Sequence, residues 1–138
     1  VLNEVNNILP IVKKISKYLI NKKKHILFID DNSNDGTRDK IYLAQKKLNK
    51  IYLIKRNKKL GIGSAHKVGL KWGFKKKYKK IITMDCDGTH DPIYINKLLK
   101  KLDKKDCHIV STNRFLNKNS LSDWKLWRKF LTIFRRYS

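Results

Sequence analysis

Carboxylates are scarce in this chain, which sets 34 Lys+Arg against 11 Asp+Glu for a formal net charge of +23. Three of them nevertheless crowd into MDCDGTHDP, Met84 to Pro92. Asp85 and Asp87 stand one residue apart at the end of an apolar run and present two carboxylates at a bend. Hard cations such as magnesium or manganese take oxygen ligands, commonly one or two carboxylates with substrate phosphate oxygens completing the shell. The Thr89 hydroxyl and His90 could add a ligand or orient one. An Asp-x-Asp by itself is a weak signal. At a strand end in so basic a chain, metal binding is a better reading than a solvated loop. Asp91-Pro92 behind it has the form of an N-cap followed by proline at the first helical position.

Three further groups could carry chemistry. IDDNSNDGT, Ile29 to Thr37, follows a second apolar run. A carboxylate there, Asp30 or Asp31, can accept from a base N–H or a ribose hydroxyl. The competing reading is an Asx-rich turn in which Asp35 or Thr37 caps the next helix, and both can hold. Gly61-Ile62-Gly63 precedes a helix, where glycine lets the backbone approach a phosphate. Its spacing fits neither the dinucleotide fingerprint nor the P-loop, so a plain tight turn is nearly as good a reading. Arg114 follows a strand end in STNRF and Arg128 lies on a tryptophan-bearing segment. Guanidinium forks suit phosphate oxygens, although by themselves these are two arginines among many basic residues.

The elements that must position these groups follow from periodicity. Ile8, Ile11, Val12, Ile15 and Leu19 predict an amphipathic helix over roughly residues 4 to 21. HILFID (25–30), IYLI (51–54), KIITMD (80–85) and CHIVS (107–111) read as short buried strands. Helices are expected around Ile41–Leu48, from the glycine loop to about Lys76, and over Ile95–Leu102. A last one carries Trp124, Trp127, Leu131 and Phe134 behind the capping-box-like Ser120–Asp123. Alternation of strand and helix implies an α/β fold, a mostly parallel sheet with helices on both faces, as one domain over 1–138. Ligands of such sheets bind beyond the carboxyl ends of the strands, so both acidic clusters should converge on one rim.

The bulk numbers narrow the function. At 138 residues and 41% hydrophobic the chain can bury a real core. Its charge favours anionic partners such as nucleic acid, acidic headgroups or phosphorylated substrates, unless the lysines merely fill solvated faces. Cys86 and Cys107 form neither a zinc site nor a disulfide framework, and a reduced, cytosolic setting is the default. No run approaches a membrane span, and no signal-peptide pattern is seen. A nucleic-acid module would need a basic stripe with stacking aromatics or a reading helix. The lysines are scattered and the acids converge, so no nucleic-acid partner is expected.

Taken in order, the segments resemble glycosyltransferase family 2, with its Rossmann-like GT-A fold. The likeness is greatest to dolichyl-phosphate mannose synthases and polyprenyl-phosphate hexosyltransferases. Asn3-Glu4-x-x-Asn7-Ile8 looks like the family's N-terminal segment, IDDNSNDGT its nucleotide loop and RNKKLGIGSAHKVGL its glycine segment. MDCDGTHDP looks like its metal motif, STNRF its Ser-Arg-Tyr stretch, and the segment from Trp124 to Thr132 its later arginine region. Six motifs in order over nearly the whole chain make the resemblance specific. It departs at Leu2, where relatives usually carry Tyr, at Gly88 for Leu, and at Thr132 for Ser.

The resemblance implies roles. Glu4, Asp30, Asp31, Ser33, Gly61, Gly63 and Asp85 would bind a nucleotide sugar, GDP-mannose first and UDP-glucose as the alternative. Asp85, Asp87 and Thr89 would hold a divalent cation, magnesium or manganese. Asp87, Arg114 and Arg128 would be catalytic, the arginines engaging phosphate. The acceptor would be dolichyl or polyprenyl phosphate, or alternatively a saccharide, and the reaction would invert the anomeric carbon. The protein would act peripherally at the cytosolic face of a membrane, where the basic face with Trp124 and Trp127 suits an acceptor headgroup. The chain would be a donor-binding fragment truncated at both ends, with the start of the acceptor region from about residue 120.

Overall fold

A computed structural model of the chain describes residues 1–19 and 24–112. Helix α1 spans Ile8–Tyr18, strand β1 Ile26–Asp30, helix α2 Thr37–Lys47, strand β2 Ile51–Lys55 and helix α3 Ile62–Lys75; a short 3-10 turn over Pro92–Tyr94 then leads into helix α4, Ile95–Leu102. The chain divides into two compact units, Val1–Leu99 and Lys100–Ser138. The first carries the sheet and everything that follows. In the second, the described residues 100–112 finish α4 and make a turn in which Lys104 N–H donates to Lys101 O and Cys107 N–H to Lys104 O, each at 3.2 Å.

β1 and β2 pair in parallel, with Ile26 opposite Ile51 and Asp30 opposite Lys55. A parallel pair requires a crossover, and α2 supplies it, as the β-α-β reading expects. Helices cover both faces because β1 is apolar on both. Ile26 and Phe28 pack into a core with Ile8, Ile11, Val12 and Ile15 of α1, Ile41 and Ala44 of α2, Ile51 of β2 and Ile95 and Leu99 of α4. Ile29 turns the other way, towards α3. A Cβ on Gly69 of that helix would lie 3.2 Å from Ile29 Cδ1, and one on Gly73 only 2.5 Å from Ile81 Cδ1. These two glycines, four residues apart on one helix face, let α3 lie close to β1 at Ile29 and to the run that begins at Ile81. Ile8 and Ile41 are fully buried. Truncating either to Ala would cost roughly 2–5 kcal/mol in lost transfer energy and cavity.

Two expected strands are absent among the described residues. Lys80–Asp85 and Cys107–Ser111 enter no sheet ladder. A strand needs a hydrogen-bonded neighbour as well as a β-prone sequence, and the space between β1 and Ile81–Met84 is a cavity rather than a paired chain. The first helix begins at Ile8 rather than near residue 4, where the Glu4 and Val5 N–H groups instead donate to Thr37 and Asp35 of the segment that follows β1. The predicted tryptophan helix lies outside the described residues.

Candidate functional site: an acid-lined cavity beside the first strand

The loop after β1 is built by its own side chains. Asp30, at 0% exposure, takes the Ser33 hydroxyl at 2.5 Å on Oδ1 and Arg38 Nε at 2.5 Å on Oδ2. Burial pushes the Asp30 carboxyl up, but the bonds from Ser33 and Arg38 outweigh it and hold the group below its ordinary range. Asp35 Oδ1 accepts Thr37 N–H at 3.0 Å and the Thr37 hydroxyl at 2.5 Å, fixing the entry to α2. The same loop captures the N-terminal segment: Asn3 N–H donates to Ser33 Oγ at 2.9 Å, Glu4 N–H to Thr37 Oγ1 at 2.8 Å and Val5 N–H to Asp35 Oδ2 at 3.1 Å. Glu4, far from the loop in sequence, is thereby set beside it. Its Oε2 accepts Asn7 Nδ2–H at 2.6 Å.

Asp31 is tied differently. Its carboxylate pairs with the Arg56 guanidinium and accepts Leu60 N–H at 3.3 Å. Arg56, 7% exposed, also donates to Ser64 Oγ at 2.8 Å and to Gly61 O at 3.2 Å. One buried arginine therefore joins the end of β1 to the glycine loop and the first turn of α3. Gly61 caps α3 at φ 83 and ψ 162, a backbone that a residue with a Cβ adopts only under strain. Gly63 has nothing within 4 Å of where a Cβ would sit.

MDCDGTHDP folds back on itself. Asp85 N–H donates to His90 Nδ1 at 2.9 Å, with that nitrogen 3.5 Å from Asp85 Oδ2. Asp87 Oδ1 accepts Thr89 N–H at 3.0 Å and its hydroxyl at 2.7 Å. Desolvation pushes the Asp87 carboxyl up, but the two Thr89 bonds and nearby His90 bring it below the usual carboxylate range. Gly88, where the family resemblance expects Leu, sits at φ 84 in the bend, a conformation natural to glycine. Asp91 Oδ1 accepts Ile93 N–H at 3.0 Å ahead of Pro92, as expected of the cap. Met84 and Cys86 pack against the core. Burial, with the charges of Glu4 and Asp87, raises the Cys86 thiol to about 11, which makes it an unreactive packing group.

These pieces share one cavity of about 720 Å³ that runs along β1. Glu4, Asp31, Lys59, Gly61, Asp85 and Asp87 line it together with a mainly apolar set of side chains. Of the adjacent Asp30 and Asp31, only Asp31 reaches the cavity wall, and Asp30 is committed to the loop beneath it. Ser33, Gly63 and Thr89 neighbour these residues in sequence without lining the cavity. Arg114 and Arg128 lie outside the described residues. The functional arrangement depends on two residues that sequence reasoning passed over, Arg38 and Arg56. Only their pairing, Arg38 with Asp30 8 residues away and Arg56 with Asp31 25 away, distinguishes them from the other basic residues. Among the described residues no group of three or more His, Cys, Asp or Glu side chains forms a metal cage. The Asp85–Asp87 pair instead has the oxygen donors of a site that a bound phosphate would complete. No helix among the described residues is long and apolar enough to cross a membrane.

Comparison with known proteins agrees with the order of motifs. The chain is 31% identical over 110 residues to the polyprenol monophosphomannose synthase of Mycolicibacterium smegmatis, covering 78% of this chain and 40% of that protein. It is 29% identical over 107 residues to the undecaprenyl-phosphate mannosyltransferase of Micrococcus luteus, covering 78% and 43%. An uncharacterized protein of Methanocaldococcus jannaschii matches at 36% over 111 residues, covering 78% and 46%. The chain thus spans less than half the length of these relatives. The sequence model of glycosyl transferase family 2 matches residues 1–137, and the chain belongs to that family.

Proposed function

We propose that this chain provides the donor site of an inverting hexosyltransferase that moves mannose from GDP-mannose onto a polyprenyl phosphate. The observation that carries this reading is that Glu4, Asp31, Asp85 and Asp87 line one cavity with Gly61 of the glycine loop. Each group has a chemical task there. Asp31 retains acceptor capacity beyond its bonds to Arg56 and Leu60 N–H, because a carboxylate offers about four lone-pair positions for a base or ribose donor. Glu4, held beside it, gives a second acceptor. Gly61 and the first turn of α3 offer open backbone to the diphosphate, with the helix N-terminus favouring negative charge. The relatives' names, polyprenol monophosphomannose synthase and undecaprenyl-phosphate mannosyltransferase, support the sugar and the lipid phosphate.

In the reaction an oxygen of the acceptor phosphate attacks the anomeric carbon as its bond to the diphosphate breaks, so the carbon inverts and the leaving group gains negative charge. A phosphate monoester, with a second pKa near 6, is largely dianionic at neutral pH, so the nucleophile needs no strong base from the protein. A divalent cation bound at Asp85 and Asp87 would offset the developing charge as a Lewis acid. The depressed pKa of Asp87 keeps that carboxylate ionised throughout the neutral range. Thr89 orients it through two bonds. The positive charge of the chain favours approach to an anionic membrane surface bearing the acceptor.

Calorimetric titration of GDP-mannose, with and without magnesium or manganese, tests the reading. Binding should require the cation and should fall at least about tenfold in Asp87→Ala. Cation-independent binding that survives Asp87→Ala would remove the role assigned to Asp87, and tighter binding of UDP-glucose would redirect the donor.

A further inference from the structure

Charge is unevenly distributed along the chain, for no Asp or Glu lies between Asp39 and Asp85. Helix α3 runs through that acid-free stretch. Lys67, Leu70, Lys71 and Phe74, three or four residues apart, share one exposed face of it. Leu70 is 49% exposed and Phe74 85%. The neighbouring Gly73 holds the inward position against Ile81, which turns Phe74 outward.

The helix then closes in a fixed frame. Lys77 N–H donates to Phe74 O at 2.9 Å and Tyr78 N–H to Gly73 O at 3.1 Å, with Lys77 at φ 57. Glycine usually takes that left-handed position at a helix end, and here a lysine does. Tyr78 folds back, its ring stacked on Trp72 at 5.3 Å between centroids and its hydroxyl hydrogen-bonded to His25 Nδ1. Pinning Tyr78 leaves Lys75, Lys76, Lys77 and Lys79 exposed around Phe74. Phe74, Lys75, Lys77, Tyr78 and Lys79 line a second cavity of about 470 Å³. This end lies about 20 Å along α3 from Gly61.

We infer that the C-terminal end of α3 and the segment FKKKYKK (74–80) form a docking surface for an anionic lipid bilayer. Leu70 and Phe74 enter the headgroup region, and the lysines around them meet the anionic headgroups. Aromatic and aliphatic side chains on a face flanked by lysines, with no acid among them, make the pattern of an interfacial helix. Each lysine held near an anionic surface strengthens association by about fivefold, and the exposed ones act together. A bilayer suits this surface better than a single-stranded nucleic acid does. Such a strand stacks successive bases on several rings, whereas Tyr78 is committed to Trp72 and His25 and Phe74 is the one exposed ring of the segment. The docking surface shares no residue with the proposed donor site, so it stands or falls separately from the transfer reaction.

Co-sedimentation of the 138-residue chain with phosphatidylcholine vesicles, with and without phosphatidylserine, tests the surface. Phosphatidylserine should tighten binding at least about a hundredfold. Raising salt from about 0.1 M to 1 M shortens the screening length from about 10 Å to 3 Å and should remove most of that gain. Phe74→Ser should weaken binding about tenfold, and Phe74→Trp should preserve it. Changing Lys75, Lys76, Lys77 and Lys79 together to Gln should cost about a hundredfold or more. The same charge change on the opposite face of β1, at Lys13 and Lys17 of α1 and Lys46 and Lys47 of α2, should cost less than about tenfold. Each variant is first shown to be folded by its urea midpoint. Indifference to phosphatidylserine, or wild-type binding by Phe74→Ser, would overturn the inference. So would equal losses in the two lysine sets, which would leave net charge without a docking surface. Single-stranded RNA that displaces the vesicles and loses its own binding in Phe74→Ser would overturn it too, by making nucleic acid the occupant.

Discussion

Replacing Arg56 with Met removes a guanidinium that touches three parts of the site at once. Arg56 and Asp31 are 7% and 8% exposed, so their pair is largely shielded from bulk water. The substitution keeps most of the apolar stem and strips Asp31 of its counter-charge, leaving its carboxylate Leu60 N–H at 3.3 Å as the remaining partner among the described residues. Ser64 Oγ and Gly61 O each lose a donor as well. Breaking a buried pair by removing one partner costs about 3–5 kcal/mol. Asp31 borders the cavity and can recruit water there, which places the expected loss near the lower figure, about 3 kcal/mol. Against a total stability of roughly 5–15 kcal/mol this is a large fraction. With a urea slope of roughly 1–3 kcal/mol/M, the unfolding midpoint should fall by about 1–3 M. The assay is urea denaturation of the wild type, Arg56→Met, Asp31→Asn and the double variant. The double variant should be more stable than the sum of the single losses allows, by at least about 1 kcal/mol, because it no longer buries a lone charge. A loss below about 1 kcal/mol in Arg56→Met, or additivity within about 0.5 kcal/mol, would refute the claim that this pair pins the glycine loop to β1.

Asp30 makes stability pH-dependent. Its folded pKa lies below the unfolded value of about 3.9, so its contribution is complete above that value and is lost as pH falls through the folded one. In Arg38→Met one lowering bond is gone while burial still raises the group, so the stability gap to wild type should shrink between about pH 5 and pH 2. A gap constant with pH in urea titrations would contradict this. Gly61→Ala should cost about 1–3 kcal/mol through backbone strain alone, since no atom obstructs the new Cβ. Gly63→Ala, inside α3 with equally open space, should instead stabilise by about 0.5–1 kcal/mol in the same denaturation assay. Equal effects at the two positions would show that φ at Gly61 is not the deciding factor.

What could be read from the chain alone were the features set by local chemistry. The helical period of Ile8, Ile11, Val12 and Ile15 gave α1, the apolar run before Asp30 gave β1, and Asp91-Pro92 gave the entry to α4. The loop residues Asp35 and Thr37 make the local turn that their types favour, and Cys86 packs inward as a small residue between two acids should. Asp31, Asp85 and Asp87 line one cavity, as the β-α-β reading expected of the two acidic clusters, although Lys80–Asp85 reaches it without entering a ladder and Asp30 stays outside it.

Decisions made by partners distant in sequence were not legible. KIITMD has every local property of a strand and forms none among the described residues, since pairing depends on a neighbouring chain and not on β-propensity. Gly69 and Gly73 looked like ordinary helix residues until Ile29 and Ile81 came against them. Asp30 and Asp31 were indistinguishable as a dipeptide. Successive residues of a strand face opposite ways, so one was drawn under the loop by Ser33 and Arg38 and the other turned to Arg56 and the cavity wall. Sequence supplied the acids and their order; only three-dimensional pairing with Arg38 and Arg56 decided which of them holds the loop and which lines the site.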